Sequence, residues 1–162
     1  MATRTTRTAD ACTLLDADHR AVKAMFKEYE TLTGSKARSA EAKKRDLAQR
    51  ICKELTVHAQ IEEEIFYPAV RGAIKDNDLV NEATVEHASA KDLIAQIEQA
   101  EPGDPMFDAK VTVLGEYIDH HVKEERNEMF VKARKSKLDL VAMRDQLIAR
   151  KEELMAGEEA TA

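Results

Sequence analysis

The chain has 162 residues and a net charge of −6 with histidine neutral, long enough for one domain with a buried core. An acidic chain has no general electrostatic attraction to nucleic acid or to an anionic membrane, so we expect neither as a partner. No apolar stretch approaches the roughly 20 residues that span a bilayer, and the first residues lack the apolar core of a secretory signal, which favours a cytoplasmic protein.

Four long helices are predicted, because apolar residues recur at steps of three and four and helix-forming residues are abundant. The predicted helices cover residues 10–33, 40–71, 77–100 and 104–135. Asp10 and Asp104 are expected to be N-caps, whereas Gly34 and Gly72 are expected to end the first and second helices. Pro68 should kink the second helix. The short links predict an all-helical fold, an up-down-up-down antiparallel four-helix bundle.

A fifth, shorter helix is expected at residues 136–156, after a segment from Ser136 to Asp139 that resembles a capping box. This helix either packs across the bundle or forms the contact of a homodimer. The expected domain organisation is therefore a four-helix domain at residues 10–135, the additional helix, and disordered tails at residues 1–9 and 157–162.

Four of the five histidines lie in the apolar stripes, one on each long helix, and two of them precede a glutamate by four residues. Residues four apart share a helix face, so these pairs should point into the bundle. A buried glutamate or imidazolium is costly without a partner, and a metal ion compensates such a cluster directly. The candidate metal ligands are His19, His58, Glu62, His87, His121 and Glu125.

The sequence also repeats internally. His19 follows Asp18 and His87 follows Glu86; each opens a helical hairpin whose second helix carries His-x-x-x-Glu. Each half thus supplies two histidines and one glutamate, which indicates two metal ions with the glutamates between them, since neighbouring cations repel unless anions separate them. Mixed nitrogen and oxygen ligands suit iron or manganese better than calcium, and no thiolate cluster suggests structural zinc.

Spacing alone does not decide between His120 and His121, because each has a glutamate four residues later. His121 shares its stripe with Leu114 and Ile118, whereas the stripe through His120 is more polar. We therefore take His121 as the ligand and His120 as a flanking residue.

The remaining reactive side chains are predicted to be structural. Cys12 and Cys52 should lie roughly 20 Å apart along the bundle axis, too far for a disulfide, and are expected to be buried thiols. The three tyrosines are interpreted as core residues, with Tyr117 as a minor candidate beside the site.

The combined order of these motifs resembles the haemerythrin family in its bacterial HHE cation-binding branch. The matching segments are Asp18-His19, His58 to Pro68 with Glu62, Glu86-His87, and His121 to Phe130 with Glu125. The resemblance implies an antiparallel four-helix bundle. It also implies two non-haem irons with an oxo or hydroxo bridge, at a site that meets O2, peroxide or NO.

Three positions depart from the family's oxygen carriers. Lys91 stands where they have a further histidine, Arg126 stands where they have an aspartate, and Val131 replaces a common proline. Six ligands instead of seven leave a coordination position for solvent or substrate, which suits sensing or redox chemistry better than simple oxygen carriage. Ferritin-like proteins are disfavoured because no histidine here has a glutamate three residues before it, and zinc proteases because His-Glu-x-x-His is absent.

Three hypotheses about function follow. The first is a di-iron protein that binds or senses O2, NO or iron, with a small diatomic molecule or peroxide as its ligand. The second is a di-iron enzyme that decomposes peroxide or reduces NO. The third is a helical interaction protein without metal.

Overall fold

A computed structural model describes residues 9–101 and 103–160, which fold into five helices without any strand. The predicted all-helical class is confirmed. The expected tails at residues 1–8 and 161–162 lie outside the described residues. The helical segments are Ala11–Thr33 in the first helix, Ala40–Ile61, Glu62–Phe66 and Tyr67–Ile74 in the second, Asn77–Gln99 in the third, Pro105–Glu124, Glu125–Met129 and Phe130–Lys135 in the fourth, and Leu140–Ala160 in the fifth.

The helix starts largely follow their predicted caps. Asp10 Oδ1 accepts a hydrogen bond from the backbone N–H of Thr13 at 2.8 Å, and Asp104 Oδ1 accepts one from that of Met106 at 2.9 Å. Asp139 caps the fifth helix, because its Oδ1 accepts a hydrogen bond from the backbone N–H of Ala142 at 3.0 Å. Ser136, at the start of the predicted capping box, lies three residues before this cap. That helix also continues through position 157, where a tail was expected.

Gly72 does not end the second helix, contrary to the prediction. The helix continues to Ile74, and Lys75 adopts the left-handed conformation with φ 55° that terminates it. A glycine inside a helix costs only about 1 kcal/mol relative to alanine, and the fully buried Val70 anchors this last turn in the core.

The second and fourth helices each contain one π-helical turn, and each turn begins at the glutamate of the His-x-x-x-Glu pair. The N–H of Tyr67 donates to the carbonyl of Glu62, and the N–H of Phe130 donates to that of Glu125, a step of five residues instead of four. The predicted kink at Pro68 thus appears as a wide turn just before it. Proline is not required, because the fourth helix makes the same turn with Val131 at that position.

The wide turn shifts the buried face of the second helix by one residue. A regular helical period would bury Ile65 and Ala69, three and seven residues after Glu62, whereas Phe66 and Val70 are the fully buried ones. The added residue rotates everything after Glu62 relative to a regular helix.

The buried side chains form two apolar clusters with the histidines between them. Leu15 and Ile61 belong to one cluster, whereas Val22 and Leu55 belong to the other. His19 therefore lies between the clusters on the first helix, as His58 does on the second. Cys12 and Cys52 lie in different clusters as buried free thiols, as predicted.

The fifth helix packs on the first and second helices. Its expected alternative role in a homodimer stays a prediction. Leu140, Met143 and Leu147 are its buried residues. In the described part of the chain, no helix combines the length and the apolar character needed to cross a bilayer.

Candidate metal centre

The six residues singled out from the sequence are all buried, and they meet in the polar layer between the two apolar clusters. Each is at most 6% exposed. The adjacent His120 points outward, with 68% of its side chain exposed. His121 thus lies inside the layer and His120 outside it, while ligation by His121 stays a prediction.

One half of the layer is formed by the histidines of the first two helices. The Nε2 atoms of His19 and His58 lie 3.0 Å apart. Glu62 Oε1 is 2.8 Å from His58 Nε2, and Glu125 Oε1 is 3.4 Å from His19 Nε2. These four ligand atoms lie within 4.8 Å of one another, close enough to hold one cation.

The other half uses the same two glutamates. Glu62 Oε1 is 3.4 Å from His87 Nε2, and Glu125 Oε2 is 2.9 Å from His121 Nε2. The ligand atoms of these four residues also lie within 4.8 Å of one another. Glu62 and Glu125 therefore lie between the halves, where carboxylates would have to be in order to bridge two cations.

The hydrogen bonding of the layer is incomplete without a cation. Among the described residues, His19 Nδ1, both carboxylate oxygens of Glu62 and Glu125 Oε1 are buried without a hydrogen-bond partner, although Glu62 Oε1 lies 2.8 Å from His58 Nε2. Buried polar atoms normally find partners, and an unpaired buried carboxylate is especially costly. Four imidazole nitrogens and two carboxylates in this arrangement fit a site for metal cations.

Three of the four imidazoles are oriented by a carboxylate on their outer side. Among them, Asp18 Oδ2 is 3.0 Å from the Nδ1 of His58, and Glu86 Oε1 is 3.0 Å from that of His121. An Nδ1–H that donates outward leaves the Nε2 lone pair pointing into the centre, ready for a metal. The repeated acid-His dipeptides therefore have one shared role: each acid orients the histidine of the following helix.

Glu63 plays the same role for His87, with Oε2 at 3.2 Å from Nδ1. His19 is the exception, because Asp16 Oδ1 lies 3.9 Å from its Nδ1, beyond hydrogen-bond distance. Asp16 Oδ1 instead accepts two hydrogen bonds from Arg126, at 2.8 and 2.6 Å. The arginine that stands at the aspartate position of the oxygen carriers thus binds outside the centre.

Protons balance part of the buried negative charge. Burial lowers the pKa of His58, but the charge of Glu62 and the hydrogen bond to Asp18 outweigh it and raise the pKa to about 10. Burial likewise lowers the pKa of His121, and its hydrogen bonds with Glu125 and Glu86 raise it to about 11. Both imidazoles are therefore cationic near neutral pH when no metal is bound, so a proton occupies the place of a metal.

Tyr67 is the site residue that the sequence did not reveal. Its hydroxyl donates to Glu125 Oε2 at 2.7 Å and lies 3.0 Å from His87 Nε2 and 3.2 Å from His121 Nε2. Burial and the charges of Glu125 and Glu62 raise its pKa well above the usual value. The regular helical period does not reveal it, because the π turn carries residue 67 onto the face of Glu62.

The position equivalent to Tyr67 in the other half is Phe130, which also follows its glutamate by five residues. Its ring is parallel to the His19 imidazole, with centroids 6.1 Å apart and an angle of 7° between the planes. A phenyl group offers neither a hydrogen bond nor a ligand atom. The two halves of the centre are therefore chemically different.

A cavity of about 460 Å³ runs between the first and fourth helices and reaches His19. Its floor includes Phe26, Ile118 and Val122, and charged side chains line its rim. Gly115 lies on this floor, where an added Cβ would come within 3.1 Å of the Phe26 ring. The cavity thus brings open space up to the His19 side of the layer.

Comparison with known proteins agrees with this geometry. The model of the haemerythrin HHE cation-binding domain matches residues 10–133. The crystal structure of a haemerythrin HHE cation-binding domain-containing protein from Mycobacterium kansasii superposes with a TM-score of 0.75, at 19% identity, over 91% of this chain and 88% of that one. At this identity the likeness concerns the fold alone.

A curated relative corrects one expectation. A protein of Nostoc sp. named DNA nickase is 31% identical over 117 residues, which is 72% of this chain but only 31% of that protein. The chain thus spans about a third of the relative's length. The expectation of no nucleic-acid partner was therefore wrong. It used only the overall net charge, which does not describe the charge of a local surface.

Proposed function

Since the chain belongs to the haemerythrin HHE cation-binding domain family, we propose that it is a non-haem di-iron protein that binds or senses O2, NO or iron in stress or iron homeostasis. His19 and His58 would hold one iron, His87 and His121 the other, and Glu62 and Glu125 would bridge them. The observation that carries this proposal is the pair of buried glutamates, each in contact with histidines of both halves.

The chemistry of the ligands supports iron and a count of two. Imidazole and carboxylate together favour iron or manganese over calcium, and the described residues around the layer offer no thiolate for zinc. Each half alone has two histidines for one cation. Bound irons would supply one-electron chemistry and a coordination position for a small ligand.

The asymmetry of the halves supports a single place for that ligand. The Tyr67 hydroxyl fills the space beside His87 and His121, so this half has one more oxygen ligand available. The His19 half has Phe130 instead, and the cavity between the first and fourth helices ends there. The ligand would therefore approach the iron held by His19 and His58.

The order of the two apolar clusters supports the four-helix domain at residues 10–135 with antiparallel neighbours. The first helix passes from the cluster of Leu15 to that of Val22, whereas the second passes in the opposite order, from Leu55 to Ile61. The third and fourth helices repeat this alternation through Ala83 and Ala90, then Leu114 and Met129. This alternation supports the proposed up-down-up-down order, with the fifth helix as an addition to it.

Metal analysis of the purified full chain, followed by anaerobic reduction and exposure to O2 or NO, tests the proposal. We expect two irons per chain and a change in the visible spectrum on exposure. A His58→Ala, His121→Ala double variant should lose both. Protein without stoichiometric metal after anaerobic reconstitution, or reduced protein without spectral change, would contradict the proposal.

Peroxide decomposition is a second candidate, favoured by the Tyr67 hydroxyl at hydrogen-bond distance from the ligands. This hydroxyl is placed to donate a proton to peroxide that enters the centre. Sustained turnover of hydrogen peroxide that is lost in Tyr67→Phe would favour an enzyme. A single stoichiometric reaction would reject this candidate and leave the binding function intact.

A role with DNA is a third candidate, favoured by the similarity to the relative named DNA nickase. Two bridged cations could also activate water for phosphodiester cleavage. The test is conversion of supercoiled plasmid to the open-circular form by metal-loaded protein, with His58→Ala as control. Equal cleavage by the two proteins would exclude the metal centre as its source.

A further inference from the structure

Two of the carboxylates that orient ligand histidines are themselves shared with a lysine. Asp18 meets His58 Nδ1 through Oδ2 at 3.0 Å and Lys151 Nζ through Oδ1 at 2.6 Å. Glu63 meets His87 Nδ1 through Oε2 at 3.2 Å and Lys91 Nζ through Oε1 at 2.6 Å. In both cases the carboxylate divides its two oxygens between an imidazole and an ammonium group.

The two lysines differ in where they come from. Lys91 belongs to the third helix, which carries a candidate ligand itself. Lys151 belongs to the fifth helix, which lies wholly beyond the residues matched by the family model. The series of contacts from His58 through Asp18 to Lys151 therefore links this additional helix to a candidate metal ligand.

The link is held more firmly than an ordinary surface ion pair. Asp18 has 10% and Lys151 28% of its side chain exposed, so water screens the pair only in part. Leu147, fully buried, lies four residues before Lys151 and thus on the same face of the fifth helix. Packing of this helix consequently places the ammonium group beside Asp18.

We propose that Lys151 is a positioning residue of the metal centre, through which the fifth helix holds Asp18 and thereby the His58 imidazole. The inference rests on the proposed function. Without Lys151, Asp18 keeps a buried, unpaired oxygen and can rotate toward water, which releases the His58 ring. Because coupling between two binding events is reciprocal, cation binding by His58 must also strengthen docking of the fifth helix.

Three variants of the full chain test this role. Lys151→Gln removes the charge and Lys151→Arg keeps it. Arg150→Gln is the matched control, because Arg150 on the same helix binds Glu64, which orients no ligand. The measurements are Co²⁺ affinity by competition titration, the reduction potential of the iron-loaded protein, and hydrogen exchange of residues 140–157 with and without Co²⁺.

We expect Lys151→Gln to weaken Co²⁺ binding on the order of a few-fold, less than the 10–100-fold loss typical when the carboxylate itself is removed. Arg150→Gln should bind as the wild type does, and Lys151→Arg should restore binding. Co²⁺ should slow exchange of the fifth helix in the wild type and do so less in Lys151→Gln. Asp18→Asn combined with Lys151→Gln should be no worse than Asp18→Asn alone.

The inference is overturned if Lys151→Gln matches Arg150→Gln in Co²⁺ affinity and reduction potential, or if its effect adds fully to that of Asp18→Asn. Circular dichroism shows whether Lys151→Gln is folded. If this variant is unfolded, the exchange measurement on the wild type decides alone. Failure of the wild type to bind two cations would instead contradict the proposed function.

Discussion

The hydroxyl of Tyr67 lies 2.7 Å from Glu125 Oε2 and joins the second helix to the carboxylate of the fourth. No comparable bond exists at Phe130, although that residue has the same place in the other hairpin. The internal repeat therefore builds a nearly symmetric set of ligands in an asymmetric surrounding. That asymmetry leads to the first prediction.

Tyr67→Phe should keep both cations, because the six histidine and glutamate ligands remain, but it should add a second azide-binding position beside His87 and His121. Absorbance titration of the iron-loaded protein with azide measures this. Tyr29→Phe is the control, since the Tyr29 hydroxyl binds Asp108 instead of the centre. Unchanged azide binding in Tyr67→Phe would show that the hydroxyl does not occupy a ligand position.

Glu62→Gln should abolish stabilisation of the protein by metal. A cation that binds only the folded state adds about 2.7 kcal/mol at 100 times its Kd, and a carboxamide at the bridge cannot neutralise two cations. Thermal melting with and without Co²⁺ measures the effect. Glu63→Gln is the control, because Glu63 orients only His87. This variant should retain a clear rise in melting temperature on addition of Co²⁺. Equal loss of that rise in both variants would contradict a bridging role for Glu62.

The metal-free protein should lose stability as the pH is raised. His58 and His121 have folded pKa values of about 10 and about 11, above the unfolded value near 6.5. Their contribution is therefore complete below about pH 6.5 and is lost as the pH rises through the folded values. Urea unfolding in the presence of a chelator between pH 6.5 and 10 should show this decline, which His121→Gln should reduce.

Metal binding should release protons for the same reason, because the cation replaces the proton on each of these two imidazoles. Co²⁺ affinity should thus rise with pH across the neutral range. Titration calorimetry in buffers of different ionisation enthalpy measures the number of protons released. A release close to zero at pH 7 would mean that both imidazoles are already neutral.

Asp18→Asn and Glu86→Gln should each weaken metal binding by about 10–100-fold, the usual loss when a partner of a ligand histidine is removed. Asp16→Asn is the control, because Asp16 lies 3.9 Å from His19 Nδ1 and binds Arg126 instead. Competition titration with Co²⁺ compares the three. A larger loss for Asp16→Asn than for the other two would overturn the assignment of the orienting carboxylates.

Gly115→Leu should slow association of azide without lowering metal content. The added side chain meets the Phe26 ring at the cavity floor, where even a Cβ would be 3.1 Å away. Gly72→Leu is the matched control, since a Cβ there meets nothing within 4 Å. Stopped-flow absorbance gives the rates, and equal rates in both variants would place the entry route elsewhere.

The six candidate ligands could be predicted because each follows the regular helical period up to its own position. Beyond Glu62 the period fails, since a regular helix advances about 100° per residue and would place Tyr67 about 140° from Glu62. Lys151 was hidden for another reason. Its partner Asp18 is 133 residues away, and a contact between distant segments leaves no trace in a single sequence.

The two π turns also determine how the chain would respond to a change in its length. Deleting Glu64 would allow the second helix to become regular from end to end, which ordinarily favours a helix. Tyr67 would then follow Glu62 by four residues and lie about 40° from it, so Tyr67 and Val70 would keep their buried face. Inserting a further residue there would instead turn both side chains by about 100° away from that face. The same irregularity begins at Glu62 and at Glu125, so each hairpin already accommodates one residue more than a regular helix would hold.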